Sequence, residues 1–130
     1  MNREQATRLI EGYIQSWREQ DLDLCLGTLS PDVVVVECYG PEYHGIDEVR
    51  RWFTDWHAGT TQGRVTRWEI IGEIVFDEVH GAAAVAWEFE CVTEGNVGEF
   101  PGASLFEFDD SKIVRIREYQ MEADRYRPYG

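Results

Sequence analysis

The chain reads as an α+β domain in which a curved antiparallel sheet wraps around three N-terminal helices. Three observations predict this. Apolar residues recur at three- and four-residue steps up to about residue 59, and at every second residue from Arg64 onward. The exception in the first half is a run of four valines, Val33 to Val36, which reads as a strand because β-branched side chains suit a pleated, buried surface. No linker, repeat or low-complexity stretch separates the two halves, so helices grouped first and strands grouped after belong to one domain spanning residues 1–130.

Each element has its own signal. Residues 3–20 carry Leu9, Ile10, Tyr13, Ile14 and Trp17 on one stripe, with charges elsewhere, and predict a one-sided helix. Leu22, Leu24, Cys25, Leu26 and Leu29 follow Asp21 as a shorter helix, closed by Ser30-Pro31. The valine strand comes next, buried on both faces. Gly40-Pro41 turns the chain, a loop runs to Gly45, and a third helix carries Val49, Trp52, Phe53 and Trp56 on one face. In Val65–Phe76 the set Trp68, Ile70, Ile74 and Phe76 alternates with Arg67, Glu69 and Glu73. In Ala83–Val92 the apolar set is Val85, Trp87, Phe89 and Cys91. Pro101-Gly102 interrupts the next strand and predicts a bulge or an edge position. In the last strand Val114, Ile116, Glu118 and Gln120 share one face.

Composition excludes some classes of function. At 130 residues and 43% apolar content, with five tryptophans, six tyrosines and six phenylalanines, the chain can fill a core. Its 25 acidic against 12 basic residues give a formal charge of −13, which repels nucleic acid and anionic membrane surfaces. The opening MNREQATRLIEGYI is charged and amphipathic rather than a leader, so a cytoplasmic location is expected. Cys25, Cys38 and Cys91 are widely spaced, and His44, His57 and His80 do not fall into ligand spacing with them. Neither a metal nor a cofactor is expected, and no nucleophilic triad is recognisable around Ser104.

Two carboxylates break the pattern. Alternation puts Glu37 on the side of Val33, Val35 and Tyr39, and Glu118 on the side of Val114 and Ile116, faces that are otherwise apolar. A buried carboxylate must pair, hydrogen-bond or take up a proton, and a glutamate whose pKa rises toward neutrality can move protons. The plainer alternatives are that the strand ends and Glu37 is in water, and that Glu118 pairs with Arg115 or Arg117. Tyr13 lies one helical turn from Trp17 and is a candidate donor to a ligand oxygen. His44 is a candidate second titrating group at the cavity mouth.

The helix EGYIQSWREQD, the strand VVECYG with its following HG, and the closing FDDSKIVRIREYQ together resemble the nuclear transport factor 2-like superfamily. That superfamily includes ketosteroid isomerase, the SnoaL-like polyketide cyclases and limonene epoxide hydrolase. The resemblance implies a cone-shaped, cystatin-like α+β roll. It places the isomerase's donor tyrosine on Tyr13, its general-base aspartate on Glu37, and its second oxyanion donor on Ser104, a weaker group than the aspartic acid it replaces. An acidic residue on the last strand of the cyclases falls on Glu118, and Arg117-Glu118-Tyr119 is similar to part of the epoxide hydrolase's acid–arginine–acid arrangement.

The function expected is proton transfer on a small hydrophobic carbonyl compound, with Glu37, Tyr13 and Glu118 as catalytic residues. Trp17, Tyr39, Trp52, Phe53, Trp56, Trp87, Phe89, Ser104 and Phe106 are the candidates for holding it. The alternative is a non-catalytic ligand-binding or dimerisation module. An outward sheet face with Val65, Ile71, Val75, Ala84, Ala86 and Leu105 suits a homodimer.

Overall fold

In the computed structural model, which describes residues 1–59 and 61–130, the chain forms three helices and six strands. Their order is α1 (Arg3–Glu19), α2 (Leu22–Gly27), β1 (Leu29–Val36), β2 (Glu42–His44), α3 (Gly45–Ala58), β3 (Arg64–Asp77), β4 (Ala82–Thr93), β5 (Asn96–Phe108) and β6 (Ile113–Gln120). α1 begins with a reciprocal cap in which the Gln5 N–H donates to the Asn2 side chain and the Asn2 N–H donates to that of Gln5. Its buried stripe is Ala6, Ile10, Tyr13, Ile14 and Trp17. Asp21 caps α2 by accepting from the Leu24 N–H at 3.0 Å. α2 ends at Gly27, earlier than expected, and Ser30 and Pro31 lie inside β1. Pro31 falls in the irregular stretch between Leu29 and Val34 of the β1–β6 ladder, so its missing N–H breaks no regular pairing.

One curved sheet, in the order β2-β1-β6-β5-β4-β3, holds the helices against its inner face. β3 to β6 form the expected antiparallel meander. β1 and β6 run parallel, however, so the sheet is mixed rather than wholly antiparallel. Strands joined by a tight turn must reverse direction, whereas β1 and β6 are joined only through the chain between them and are free to run the same way. β2, where a loop was expected, pairs back on β1. Val33 and Val35 are fully buried and Val34 and Val36 half-buried, so the valine strand is covered completely on one face only.

Besides the one in β1, three further irregularities bend the sheet and shift its alternation, at Thr66, between Ile71 and Val75, and at Val114. That at Thr66 overturns one expectation. The extra residue at Thr66 brings Val65 to the inner face opposite Cys91, and both are buried. Ile71, Val75, Ala86 and Leu105 do remain exposed on the outer face. β5 is continuous against β4 through Pro101, with no bulge. Pro101 tolerates this because the β6 ladder ends opposite Gly102; only its carbonyl is engaged on that side, accepting from the Met121 N–H at 2.9 Å, and from Asn96 to Phe100 the edge lies beyond the ladder.

Candidate active site

The parallel pair sets the site. Val34, Val35 and Val36 lie opposite Arg115, Ile116 and Arg117, and one further step along both strands brings Glu37 beside Glu118. Both carboxyls line a cavity of about 380 Å³. α1 supplies Trp17 to its wall, α3 supplies Trp52 and Trp56, β3 supplies Trp68, and β4 and β5 supply Trp87, Phe89, Cys91 and Phe100. Cys38 and Tyr39, from the turn after β1, complete the side nearest Glu37.

The two carboxyls stand in different surroundings. Glu37 is half-buried and accepts a hydrogen bond from the Tyr43 hydroxyl at 3.2 Å, Tyr43 being stacked on Trp52 at 4.3 Å and 10°. Burial raises its pKa, and the Tyr43 and Trp52 side chains partly offset this. Glu118 makes no hydrogen bond or ion pair among the described residues. Arg115 pairs instead with Glu107 at 3.1 Å, and the Nε of Arg117 is buried without a partner. Burial first, and then the neighbouring negative charge of Glu37, push Glu118 up to about 8. Both carboxyls are thus pushed upward, and Glu118, with no hydrogen bond to offset its burial, holds its proton the more firmly.

The structure gathers Glu37, Glu118, Trp17, Tyr39, Trp52, Trp56, Trp87 and Phe89 around this one space. Tyr13, Phe53, Ser104 and Phe106 lie outside its lining. The Tyr13 hydroxyl is closed off from the cavity and has no hydrogen-bond partner among the described residues; burial, then Glu118, hold its proton on. Phe53 packs on Trp17 at 4.7 Å, and Phe106 belongs to the core beneath Tyr13. Ser104 accepts from the Trp87 Nε1–H at 2.8 Å, which makes it an anchor for that wall rather than a contact for a ligand. His44 is exposed, at the end of β2, pairing with Glu42 at 3.2 Å. Sequence reasoning missed Trp68, Cys38, Cys91 and Phe100. For Cys91 and Trp68 the signal was present, as continuations of the Trp87–Phe89 and Trp68–Ile70 alternations.

The family profile of the SnoaL-like domain matches residues 10–116. The chain belongs to the SnoaL-like domain family. It is thereby placed in the nuclear transport factor 2-like superfamily. Among solved structures, the SnoaL-like chain is similar to an LEH-like epoxide hydrolase of M. tuberculosis, with 18% identity over 91% of this chain and 84% of that one and a TM-score of 0.78. It is similar also to a candidate polyketide cyclase of Xanthomonas campestris pv. campestris, with 19% identity over 92% of each chain and a TM-score of 0.76. A protein of ketosteroid isomerase-like fold from Catenulispora acidiphila, solved with trimethylamine, has 14% identity over 85% of this chain and 83% of that one, with a TM-score of 0.70. No protein of curated function matches in sequence. These likenesses establish the fold, and the chemistry of the SnoaL-like chain has to be argued from its own cavity.

Proposed function

We propose that this cavity carries out cofactor-free proton transfer on a hydrophobic carbonyl compound of steroid-like or polyketide-like character. The observation that carries the reading is the pair Glu37 and Glu118 in one aromatic cavity, the first hydrogen-bonded by Tyr43 and the second without a partner among the described residues. Glu37, stabilised as a carboxylate by Tyr43, takes a proton from the carbon next to the carbonyl. The electron pair left behind moves onto the carbonyl oxygen, and the protonated Glu118 donates a hydrogen bond to it. Tyr13 is closed off from this space, whereas the indole N–H groups of Trp17 and Trp68, in the cavity wall, have no acceptor of their own among the described residues and are the further uncommitted donors. Where a carbon–carbon double bond adjoins the enolate, return of the proton from Glu37 to its far carbon completes an isomerisation; attack of the enolate on another carbonyl of the same ligand, whose oxygen takes the proton back from Glu37, gives a cyclisation. A volume of about 380 Å³ lies within the range of small-molecule sites. Epoxide hydrolysis is disfavoured because no arginine stands between the two acids in the described lining.

Exchange of the methyl protons of an aryl methyl ketone into heavy water, followed by proton NMR, isolates the first step. Glu37→Gln is expected to slow that exchange at least about a hundredfold while circular dichroism stays that of the parent. Unchanged exchange in the variant would remove the reading. Ser104 favours a second one, a ligand-binding module without turnover, because it lies outside the cavity lining and supplies no second donor there. Ketone binding by the parent protein with no exchange above buffer would establish that module.

A further inference from the structure

The proposed site is electrically one-sided. Glu37 and Glu118 line it, Glu94 stands at its rim, and its described lining contains no lysine, arginine or histidine. It shares Glu37, Tyr39, Trp52 and Trp56 with a wider neighbouring pocket, whose far wall adds Glu42, Glu48 and Asp55 against Arg51. An anion approaching from that side meets like charge at the walls and a chain of net charge −13 behind them. The apolar part of the lining is aromatic rather than aliphatic. Aliphatic walls would hold a neutral ligand by buried area alone, whereas ring faces add an electrostatic attraction that only a cation receives. The carboxyl of Glu118 is uncommitted to any described protein group, and Glu37 spends one oxygen on Tyr43.

We infer that the ligand of this site is a hydrophobic carbonyl compound bearing a protonated or quaternary amine. Its amine lies outward against Tyr39, Trp52 and Trp56, facing Glu48 and Asp55, and its uncharged carbonyl end lies inward at Glu37 and Glu118. The inference rests on the proton-transfer reading for the orientation of the carbonyl. The amine is assigned independently, from the charge and aromatic character of the walls.

Three ketones of nearly one shape test it by titration calorimetry: para-trimethylammonio-acetophenone, para-tert-butylacetophenone and para-acetylbenzoate. The ammonium ketone is expected to bind at least about tenfold more tightly than its tert-butyl isostere, and the carboxylate not measurably. The preference is expected to persist in about 0.5 M salt, where screening over roughly 4 Å suppresses general attraction to an acidic protein but spares ring and ion contacts. Equal or tighter binding of the tert-butyl ketone, or a preference that disappears in salt, overturns the inference. Either result leaves the proton-transfer reading standing, because that is read separately from exchange of the tert-butyl ketone. Failure of all three to bind removes the site and the inference together.

Discussion

The closed end of the sheet and its open end are built from the same strands, and they differ in what the inward positions carry. On β1 the inward residues are Val33 and Val35, then Glu37; on β6 they are Ile113 and Ile116, then Glu118. On β5, running back from Phe108, they are Phe106, Ser104, Gly102 and Phe100. At the closed end Phe106 stacks on Phe108 at 6.3 Å and 14° and meets the Tyr13 ring edge-on at 6.4 Å, so the space is filled. At the open end Gly102 leaves room. A Cβ there would lie 2.4 Å from the Trp87 ring, which instead lies over β5 and is pinned by its hydrogen bond to Ser104. Trp87 thus becomes a wall rather than a plug. Alternation decides which residues face inward, and the residue types along each strand decide whether the inward space is closed.

The largest expected effect comes from cutting the filled end. Phe106→Ala removes a ring that is 1% exposed and is expected to cost about 3–5 kcal/mol in denaturant unfolding. Phe100→Ala at the open end truncates a half-buried ring that borders space already present and is expected to cost less, about 1 kcal/mol, while weakening ketone binding. Equal costs for the two would erase the distinction between the ends.

Next in size is the pH dependence of Glu118. Its folded pKa of about 8 lies above an unfolded value of about 4.3, so between these limits the folded protein holds a proton that the unfolded chain has released. Its contribution to stability is therefore complete at acid pH and is lost as pH rises through about 8. Glu118→Gln removes that dependence. The stability of the variant minus that of the parent is expected to grow from pH 5 to pH 9 by on the order of 3 kcal/mol, since water in the cavity offsets part of the full desolvation. A difference that is flat with pH would mean that the carboxyl is solvated like a surface group.

These two ends were not equally legible in the sequence. The helical stripes and the meander follow from local periodicity, and Glu37 and Glu118 stood out because each occupies a position that its own strand otherwise makes apolar. That they are neighbours depends on the parallel β1–β6 pairing, a contact between distant parts of the chain that no local pattern encodes. Val65 was misplaced because one inserted residue, Thr66, reverses the face of everything before it. Phe100 was passed over because Pro101-Gly102 looks like a break, although the end of the β6 ladder at Gly102 lets a proline continue the strand. Ser104 has a hydroxyl of suitable chemistry, and only the fold shows that it sits behind the wall, accepting from Trp87, outside the cavity lining.

The smallest effect separates the charge of the open end from its shape. Tyr43→Phe deletes the hydroxyl that donates to Glu37 at 3.2 Å but keeps the ring that stacks on Trp52, so the wall is preserved while the carboxylate loses a partner. Burial then acts on Glu37 with less opposition, and its pKa moves further up from the ordinary carboxylate range. A base with a higher pKa is protonated over more of the acid range, so the acid limb of the kcat/KM profile for ketone exchange shifts to higher pH. Exchange on that limb is expected to fall roughly two- to fivefold, with little change on the plateau, in keeping with the modest worth of one half-buried hydrogen bond. A uniform loss at every pH would show instead that Tyr43 acts by holding the Trp52 wall in place, and that the open end depends on shape where the argument from Glu37 requires charge.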